Sequence, residues 1–311
     1  MPTPRVGQTS GLRGLILEFP RLGRMARIPL ILLIGCGVLA GPFVDPATAQ
    51  ERPVEVQVTP EGQLVELVLT DGSELVGRVV EAGDPFRFVL LSGLEMSIPL
   101  VNVRSISRAS GVVEEGEYWR VDPNRTRLFF GPTGKTLPQG DGYLAVYEIF
   151  IPFLGVGISD NFLLAAGTPL IFDDDMSRPF WIAPKLRVFN SERTQASIGV
   201  LAVSVEDETF GMLYGVITTG SQKNSVTAGL GYGFVEGELA DRPAIMVGGE
   251  SRVGRGVKIV TENYVFPGEG GLVSVGPRFF GRRLTADLGL AVPVGTDDTF
   301  VFPLVNFVYN F

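Results

Sequence analysis

Ser225-Val226-Thr227-Ala228-Gly229-Leu230-Gly231-Tyr232-Gly233-Phe234 alternates without a break. Val226, Ala228, Leu230, Tyr232 and Phe234 share one face; Thr227, Gly229, Gly231 and Gly233 share the other. This two-residue period is that of a β-strand with one apolar side. Residues 284–292 repeat it, with Leu284, Ala286, Leu288, Leu290 and Val292 opposite Thr285, Asp287, Gly289 and Ala291. In residues 271–280, Val273, Val275, Pro277 and Phe279 alternate with Leu272, Ser274, Gly276 and Arg278. Working back from residue 311, strands are expected near 299–311, 284–294, 270–281, 257–266, 242–253, 225–236, 210–220, 195–205, 180–190, 161–171 and 142–158, with Thr126–Gly131 as the twelfth. The turns between them fall into two alternating sets. One holds 159–161, 190–194, 221–224, 254–256 and 281–283; the other holds 172–178, 206–209, 236–241, 267–270 and 295–298.

A soluble β-sandwich and a membrane β-barrel both require this alternation. Three features favour the barrel, and the consistent parity of the two sets of turns is one of them. The face opposite the apolar stripe is rich in Gly, Ser and Thr, as an interior needs where side chains converge. The chain also closes on Val305-Asn306-Phe307-Val308-Tyr309-Asn310-Phe311, with aromatic residues at alternate positions. That segment resembles the C-terminal strand signal of bacterial outer-membrane β-barrel proteins. The resemblance implies that Phe307, Tyr309 and Phe311 are read by the barrel-assembly machinery. The expected fold is therefore all-β: an antiparallel transmembrane barrel over 126–311, of twelve strands or, failing that, ten. If residue 311 is periplasmic, the first set of turns is periplasmic and the second extracellular. Pro152, Pro184, Pro243, Pro277, Pro293 and Pro303 fall in proposed strands and lack a ladder donor. They are the argument for the alternative, a soluble secreted β-protein.

Charges inside the expected strands fall mostly opposite the apolar stripe. Glu148, Glu250, Glu262 and Asp287 are negative; Lys185, Arg187, Arg252 and Arg278 are positive. Four of each sign fits a lumen network of mutually paired groups, since buried charges need partners. Opposed rows of charge can also form a selective eyelet. The faces of Lys258 and Glu262 are ambiguous, because Val260 and Tyr264 share their side. Gly131-Pro132-Thr133-Gly134-Lys135-Thr136 resembles a phosphate-binding loop, but Phe129 holds the position of the required earlier glycine and no strand-to-helix unit surrounds it. Asp173-Asp174-Asp175 matches no calcium-loop spacing and reads as a solvated loop.

Upstream, residues 53–108 read as a small β-domain. Val54–Val58 and Leu64–Leu69 alternate, Asp71-Gly72 supplies a hairpin turn, Glu74–Val80 resumes, and Phe86–Leu91 and Leu94–Leu100 flank a Ser92-Gly93 turn. The run Leu69–Val79 resembles the start of Sm-like and SH3-like small barrels, which implies a peptide-docking or adaptor module. Residues 109–125 read as an acidic linker. Its Tyr118 and Trp119 would either rest at a membrane interface or cap a small core.

Export precedes all of this. Arg5, Arg13, Arg21, Arg24 and Arg27 lead into an apolar run, Ile28–Ala40, and then Ala47-Thr48-Ala49. This is the pattern of a secretory signal peptide over 1–49. Its core is short for a helical span. The alternatives are a retained anchor, translation from Met25 instead of Met1, and lipidation of Cys36 in Leu33-Ile34-Gly35-Cys36. Removal of five basic and two acidic residues takes the net charge from −8 to −11.

Composition excludes whole classes of function. Zero histidine removes His-based acid–base catalysis and imidazole metal sites, and one cysteine removes an internal disulfide. Outer-membrane proteases, phospholipases and lipid A-modifying barrels resemble this chain in architecture but use a catalytic histidine. No enzyme activity, cofactor or metal is expected. An acidic chain is a poor partner for nucleic acid. The partners expected are outer-membrane lipid, the assembly machinery and a periplasmic protein docking on 53–108. The expected role is structural or adaptor, with a largely occluded lumen; the runner-up is a narrow pore for small solutes.

Overall fold

The computed structural model describes residues 63–109, 111–114, 116–169, 179–295 and 300–311. The expected signal peptide with Cys36, the strand at Val54–Val58 and the Asp173–Asp175 run lie outside them.

Ahead of the barrel lies a five-stranded antiparallel sheet: β1 (Leu64–Leu69), β2 (Glu74–Glu81), β3 (Phe86–Leu90), β4 (Glu95–Ile98) and β5 (Val103–Arg108), in the order β4-β3-β2-β1-β5. Gly72 and Gly93 take φ of +86° and +85° at the two hairpin turns, where an L side chain would be strained. Val65, Leu67, Val79, Phe86, Phe88, Ile98 and Val103 form its core. The strand expected at 94–100 ends at Ile98, and β5 completes the sheet. A short hairpin follows, β6 (Val112–Glu114) against β7 (Glu117–Trp119).

The remaining strands are β8 (Gly142–Tyr147), β9 (Ile151–Ser159), β10 (Phe162–Gly167), β11 (Phe180–Asn190), β12 (Thr194–Val205), β13 (Glu208–Gly220), β14 (Asn224–Val235), β15 (Glu238–Leu239), β16 (Ala244–Gly254), β17 (Val257–Phe266), β18 (Gly270–Phe280), β19 (Leu284–Val294) and β20 (Phe302–Asn310). β15 is a two-residue extension on β14. The other twelve close into one antiparallel barrel. β8 pairs with β20 through Tyr143↔Asn310 and Val146↔Phe307, and β13 pairs with β14 along its length. Closure leaves the ring no free edge, the condition for a sheet in lipid.

Two expectations are corrected. Residues 142–158 are not one strand but two, folded at 148–150, where Glu148 and Ile149 take φ of +48° and +69°. Thr126–Gly131 is not a wall strand; it lies inside the ring, as described below. The count of twelve survives because these two errors cancel. The turns divide between the two rims as expected. The rim carrying Gly142 and Phe311 (the proximal rim) also holds 160–161, 191–193, 221–223, 255–256 and 281–283; 148–150, 206–207, 236–243 and 267–269 lie at the distal rim.

The faces follow the alternation. Apart from β10, each of the twelve wall strands turns at least one large exposed apolar side chain outward, among them Leu144, Ile182, Ile198, Leu213, Leu230, Val247, Ile259, Val275, Leu288 and Phe307. The proline problem resolves locally. Pro184 and Pro277 sit where the β11–β12 and β18–β19 ladders are interrupted, and Pro243 immediately precedes β16. Pro152, Pro293 and Pro303 are one residue from a strand end.

Candidate functional site: a lumen filled by residues 120–141

Between β7 and β8 the chain runs into the ring, turns and returns. Residues 126–133 form a tight hairpin: the Leu128 amide donates to the Gly131 carbonyl (2.8 Å) and the Thr133 amide to the Thr126 carbonyl (3.0 Å). Its tip, Leu128 and Phe129, is fully buried against Val260, Ala291 and Leu304 of the inner wall. Wall strands on opposite sides of the ring bond the same short segment. Lys185 Nζ of β11 donates to the carbonyls of Thr126 (2.9 Å) and Thr133 (3.3 Å). Ser197 of β12 donates to the Gly134 carbonyl (2.9 Å), and the Gly134 amide donates to Thr218 Oγ1 of β13 (2.8 Å). Across the lumen, Glu262 Oε2 of β17 accepts the Phe130 and Gly131 amides (3.0 and 2.9 Å), and Asn306 Nδ2 of β20 donates to the Phe129 carbonyl (3.1 Å). A segment held from both sides crosses the lumen.

Glycines make the room. A Cβ on Gly134 would stand 2.1 Å from the Gln195 carbonyl oxygen, and one on Gly131 would stand 2.4 Å from Met246 Sδ. On the wall, Gly289 leaves space for the Phe129 ring and Gly248 for Leu128. The glycine-rich inner face is thus matched to a backbone passing close by.

The ionised residues of the wall serve this segment. Arg278 is the hub. Its Nε and Nη2 hold Asp287 at 2.7 and 3.1 Å, and its Nη1 reaches Glu250 (3.0 Å) and Asp122 (3.3 Å). The same guanidinium donates to the carbonyls of Asn124, Arg127 and Leu128 on the inserted segment. Lys258 bridges Asp122 (3.1 Å) and Glu250 (3.2 Å). Burial alone would push the Asp122 carboxyl up, but Lys258 and Arg278 hold it well below the usual carboxylate range. Every group in this cluster is nearly or wholly desolvated, where a charge persists only with partners.

Among the eight residues proposed as a lumen network, Glu250, Arg278 and Asp287 join directly. Glu262 and Lys185 are buried in the lumen but bind backbone groups of the inserted segment instead. Arg252 sits lower, donating to the Arg120 carbonyl and lying 4.8 Å from the Phe280 ring centroid. Arg187 bonds Asn161 Oδ1 at the proximal rim (3.0 and 2.8 Å). Glu148 lies in the distal turn, where its carboxylate accepts the Val305 amide (3.2 Å) and its own amide donates back to Val305. Lys258 and Glu262 both face inward with Val260. Sequence reasoning missed Asp122, because it lies in what read as a linker.

The half of the lumen facing β8–β13 is different in character. Arg127 lies 5.1, 5.0 and 5.4 Å from the ring centroids of Tyr143, Tyr147 and Phe153, and donates to the Tyr143 hydroxyl. Phe130, Tyr147, Phe153 and Trp181 form a continuous row of rings, with successive centroids 5.5–5.6 Å apart. Burial lowers the Lys135 ammonium and the Arg125 guanidinium from their ordinary values; for Arg125, Asp141 opposes the shift and Arg187 adds to it.

At the proximal rim the small sheet is pinned to the barrel. Glu66 of β1 is buried and receives Arg120 (3.2 Å), Arg282 of the 281–283 turn (3.3 Å) and the Tyr118 hydroxyl. Arg282 also donates to Ser107 of β5. Lys223 stands 4.4 Å above the Trp119 ring. Tyr118 and Trp119 therefore join the sheet to the barrel rim. The Gly131–Thr136 motif belongs to the inserted segment, where the Gly134 carbonyl and amide are taken up by Ser197 and Thr218 of the wall. No cluster of metal-ligating side chains occurs among the described residues.

No family model matches the chain, and no curated protein does. Among solved structures it is similar to KdgM porin in complex with disordered oligogalacturonate, at 10% identity and a TM-score of 0.42, over 55% of this chain and 98% of that one. It is also similar to outer-membrane expressed OmpT of Vibrio cholerae, at 11% identity and a TM-score of 0.33, over 80% and 95% of the two chains. The barrel assignment rests on the strand ladder of this chain.

Proposed function

We propose that this chain is a bacterial outer-membrane barrel, occluded by its own residues 120–141, that presents its small sheet on the periplasmic side as a structural or adaptor module without enzymatic activity. The observation that carries the reading is the inserted hairpin, bonded from opposite walls by Lys185, Thr218, Glu262, Arg278 and Asn306. Packed backbone and a desolvated charge cluster within the lumen support the occluded reading over an open pore.

Placement in the membrane is supported by the faces of the wall. The eight Asp, Glu, Lys and Arg side chains within the strands, away from the distal turns, are Lys185, Arg187, Glu250, Arg252, Lys258, Glu262, Arg278 and Asp287, and all turn inward. The outer face carries aliphatic and aromatic groups. That is the distribution lipid demands. Phe307 and Tyr309 of β20, and Phe311 just beyond its end, are half-exposed, where an assembly factor could read them. The signal-peptide pattern expected over 1–49 supports export, and the proximal rim is assigned to the periplasm. An Sm-like or SH3-like identity for residues 63–109 belongs to this proposal, as does a periplasmic protein partner for them.

Two measurements test the reading. Folded barrels migrate anomalously on gels until boiled, and the protein should do so and fractionate with outer membranes. In planar lipid bilayers it should give no discrete conductance steps. Reproducible steps would replace the occluded reading by the narrow-pore one, and solubility without detergent would remove both.

A further inference from the structure

Two cations stand together in the β8–β13 half of the lumen without a carboxylate. Lys185 is 3% exposed, and its ammonium holds only the two carbonyls of the inserted segment. Arg127, next in the chain to the Thr126 carbonyl that Lys185 holds, is the second basic group, with its guanidinium 5.0 Å from the Tyr147 ring centroid. Among the described residues, no carboxylate lies within 4.0 Å of either group, whereas Arg278 and Lys258 across the lumen have three between them. Around the pair are polar atoms with nothing to bond. The Arg127 Nε, the Tyr147 hydroxyl (1% exposed) and Thr126 Oγ1 (2% exposed) are buried without a partner. Desolvated cations without a counter-charge and buried unpaired donors are each costly, and here they coincide.

We infer that a small inorganic anion occupies this site, bridging Arg127 of the inserted segment to Lys185 and Tyr147 of the wall. The site supplies the recognition such a ligand needs: a guanidinium N–H, an ammonium and a phenolic O–H, all donors. The Phe130–Tyr147–Phe153–Trp181 row of rings packs beside the Arg127 guanidinium. The anion would complete the seat of the hairpin, as Glu262 does on the opposite wall. This inference rests on the reading of residues 120–141 as a resident lumen segment.

The test uses the full chain in detergent, with bromide as the probe. Crystals soaked in sodium bromide should show an anomalous peak within about 4 Å of both Lys185 Nζ and the Arg127 guanidinium, the contact range of charged pairs. Thermal unfolding should move upward, with saturation, when gluconate is replaced by bromide at equal ionic strength. Tyr147→Phe removes one donor and nothing else, so the bromide midpoint should rise about tenfold, the equivalent of one hydrogen bond. Lys185→Met should abolish the shift; should that variant fail to fold, Tyr147→Phe alone decides. No peak together with identical melts in the two salts overturns the inference and leaves water or an uncharged Lys185 amine in the site. A melt shift that neither variant alters marks general salt stabilisation and overturns it equally. Conductance steps in the unmodified protein would sink the occluded reading while leaving the bromide peak a separate matter.

Discussion

Arg278→Met is the most demanding perturbation of the inserted segment. The side chains are similar in length, so the substitution removes charge and donors more than volume. Asp287 loses a two-point partner, Glu250 and Asp122 each lose a contact, and Lys258 becomes the one cation among three carboxylates. The carbonyls of Asn124, Arg127 and Leu128 lose their donor at the same time. Breaking a buried pair from one side costs about 3–5 kcal/mol, chiefly through the charge left behind. The carbonyl losses overlap with that figure and are not added to it. At about 4 kcal/mol, and roughly 1.4 kcal/mol per factor of ten, the open population of the hairpin should rise about a thousandfold. Amide hydrogen exchange in detergent reads this directly, because the Phe130, Gly131 and Gly134 amides exchange only when the hairpin leaves the wall. Their exchange should accelerate by about three orders of magnitude, while amides of the β12–β13 ladder change little. Removing Asp287 as well (Arg278→Met with Asp287→Leu) should restore part of the protection, since the stranded charge goes with it. Unchanged exchange at the three hairpin amides in the single variant would refute the role given to Arg278.

Other expectations follow from the same geometry. Gly134→Ala places a methyl against the Gln195 backbone, which cannot yield as a flexible side chain can; overpacking of about 1–3 kcal/mol should lower the thermal midpoint, whereas alanine at Gly215, with open space around it, should not. Leu288→Arg puts a cation on the outer belt at a cost of about 2–4 kcal/mol if lipid lies there, so the anomalously migrating folded band should weaken or vanish; wild-type yield would argue for water outside the barrel. Glu262→Leu leaves the Phe130 and Gly131 amides without an acceptor, a loss of about 1–3 kcal/mol that their exchange should report. Asp122 is held below its ordinary range, so its stabilisation is complete above the unfolded value near 4 and is lost as pH falls toward the depressed one. The stability difference between wild type and Asp122→Asn should therefore be constant from about pH 7 to 5 and narrow only in stronger acid.

The wall was legible because each strand obeys one rule, apolar toward lipid and small or polar inward, and because most turns carry Gly, Asn, Asp or Ser. The turn at 148–150 was not legible. Glu148-Ile149-Phe150 contains none of those residues, and a β-branched residue at positive φ is a conformation that only the surrounding structure imposes. Thr126–Gly131 misled for a related reason. Leu128 and Phe129 are apolar because they pack on the inner wall at Val260 and Leu304, and local periodicity does not distinguish an inner surface from an outer one. A signal was present nonetheless: Gly131 and Gly134 in the segment, and Gly248 and Gly289 in the wall, are residues that closely passing backbones require. The charge cluster was half visible. Its wall members stood out as ionised residues in apolar strands, but Asp122 and the backbone carbonyls that Arg278 serves become partners only through the tertiary fold.

The central claim is that residues 120–141 fill the barrel, and single-channel recording on a matched pair tests it most directly. One member is the intact chain; in the other, residues 122–137 are replaced by a flexible glycine–serine linker of equal length, with the twelve strands untouched. The intact protein should be silent, and the replaced one should open in discrete, ohmic steps. Equal conductance in the two, or silence in both after the folded band is verified on the gel, would contradict the account.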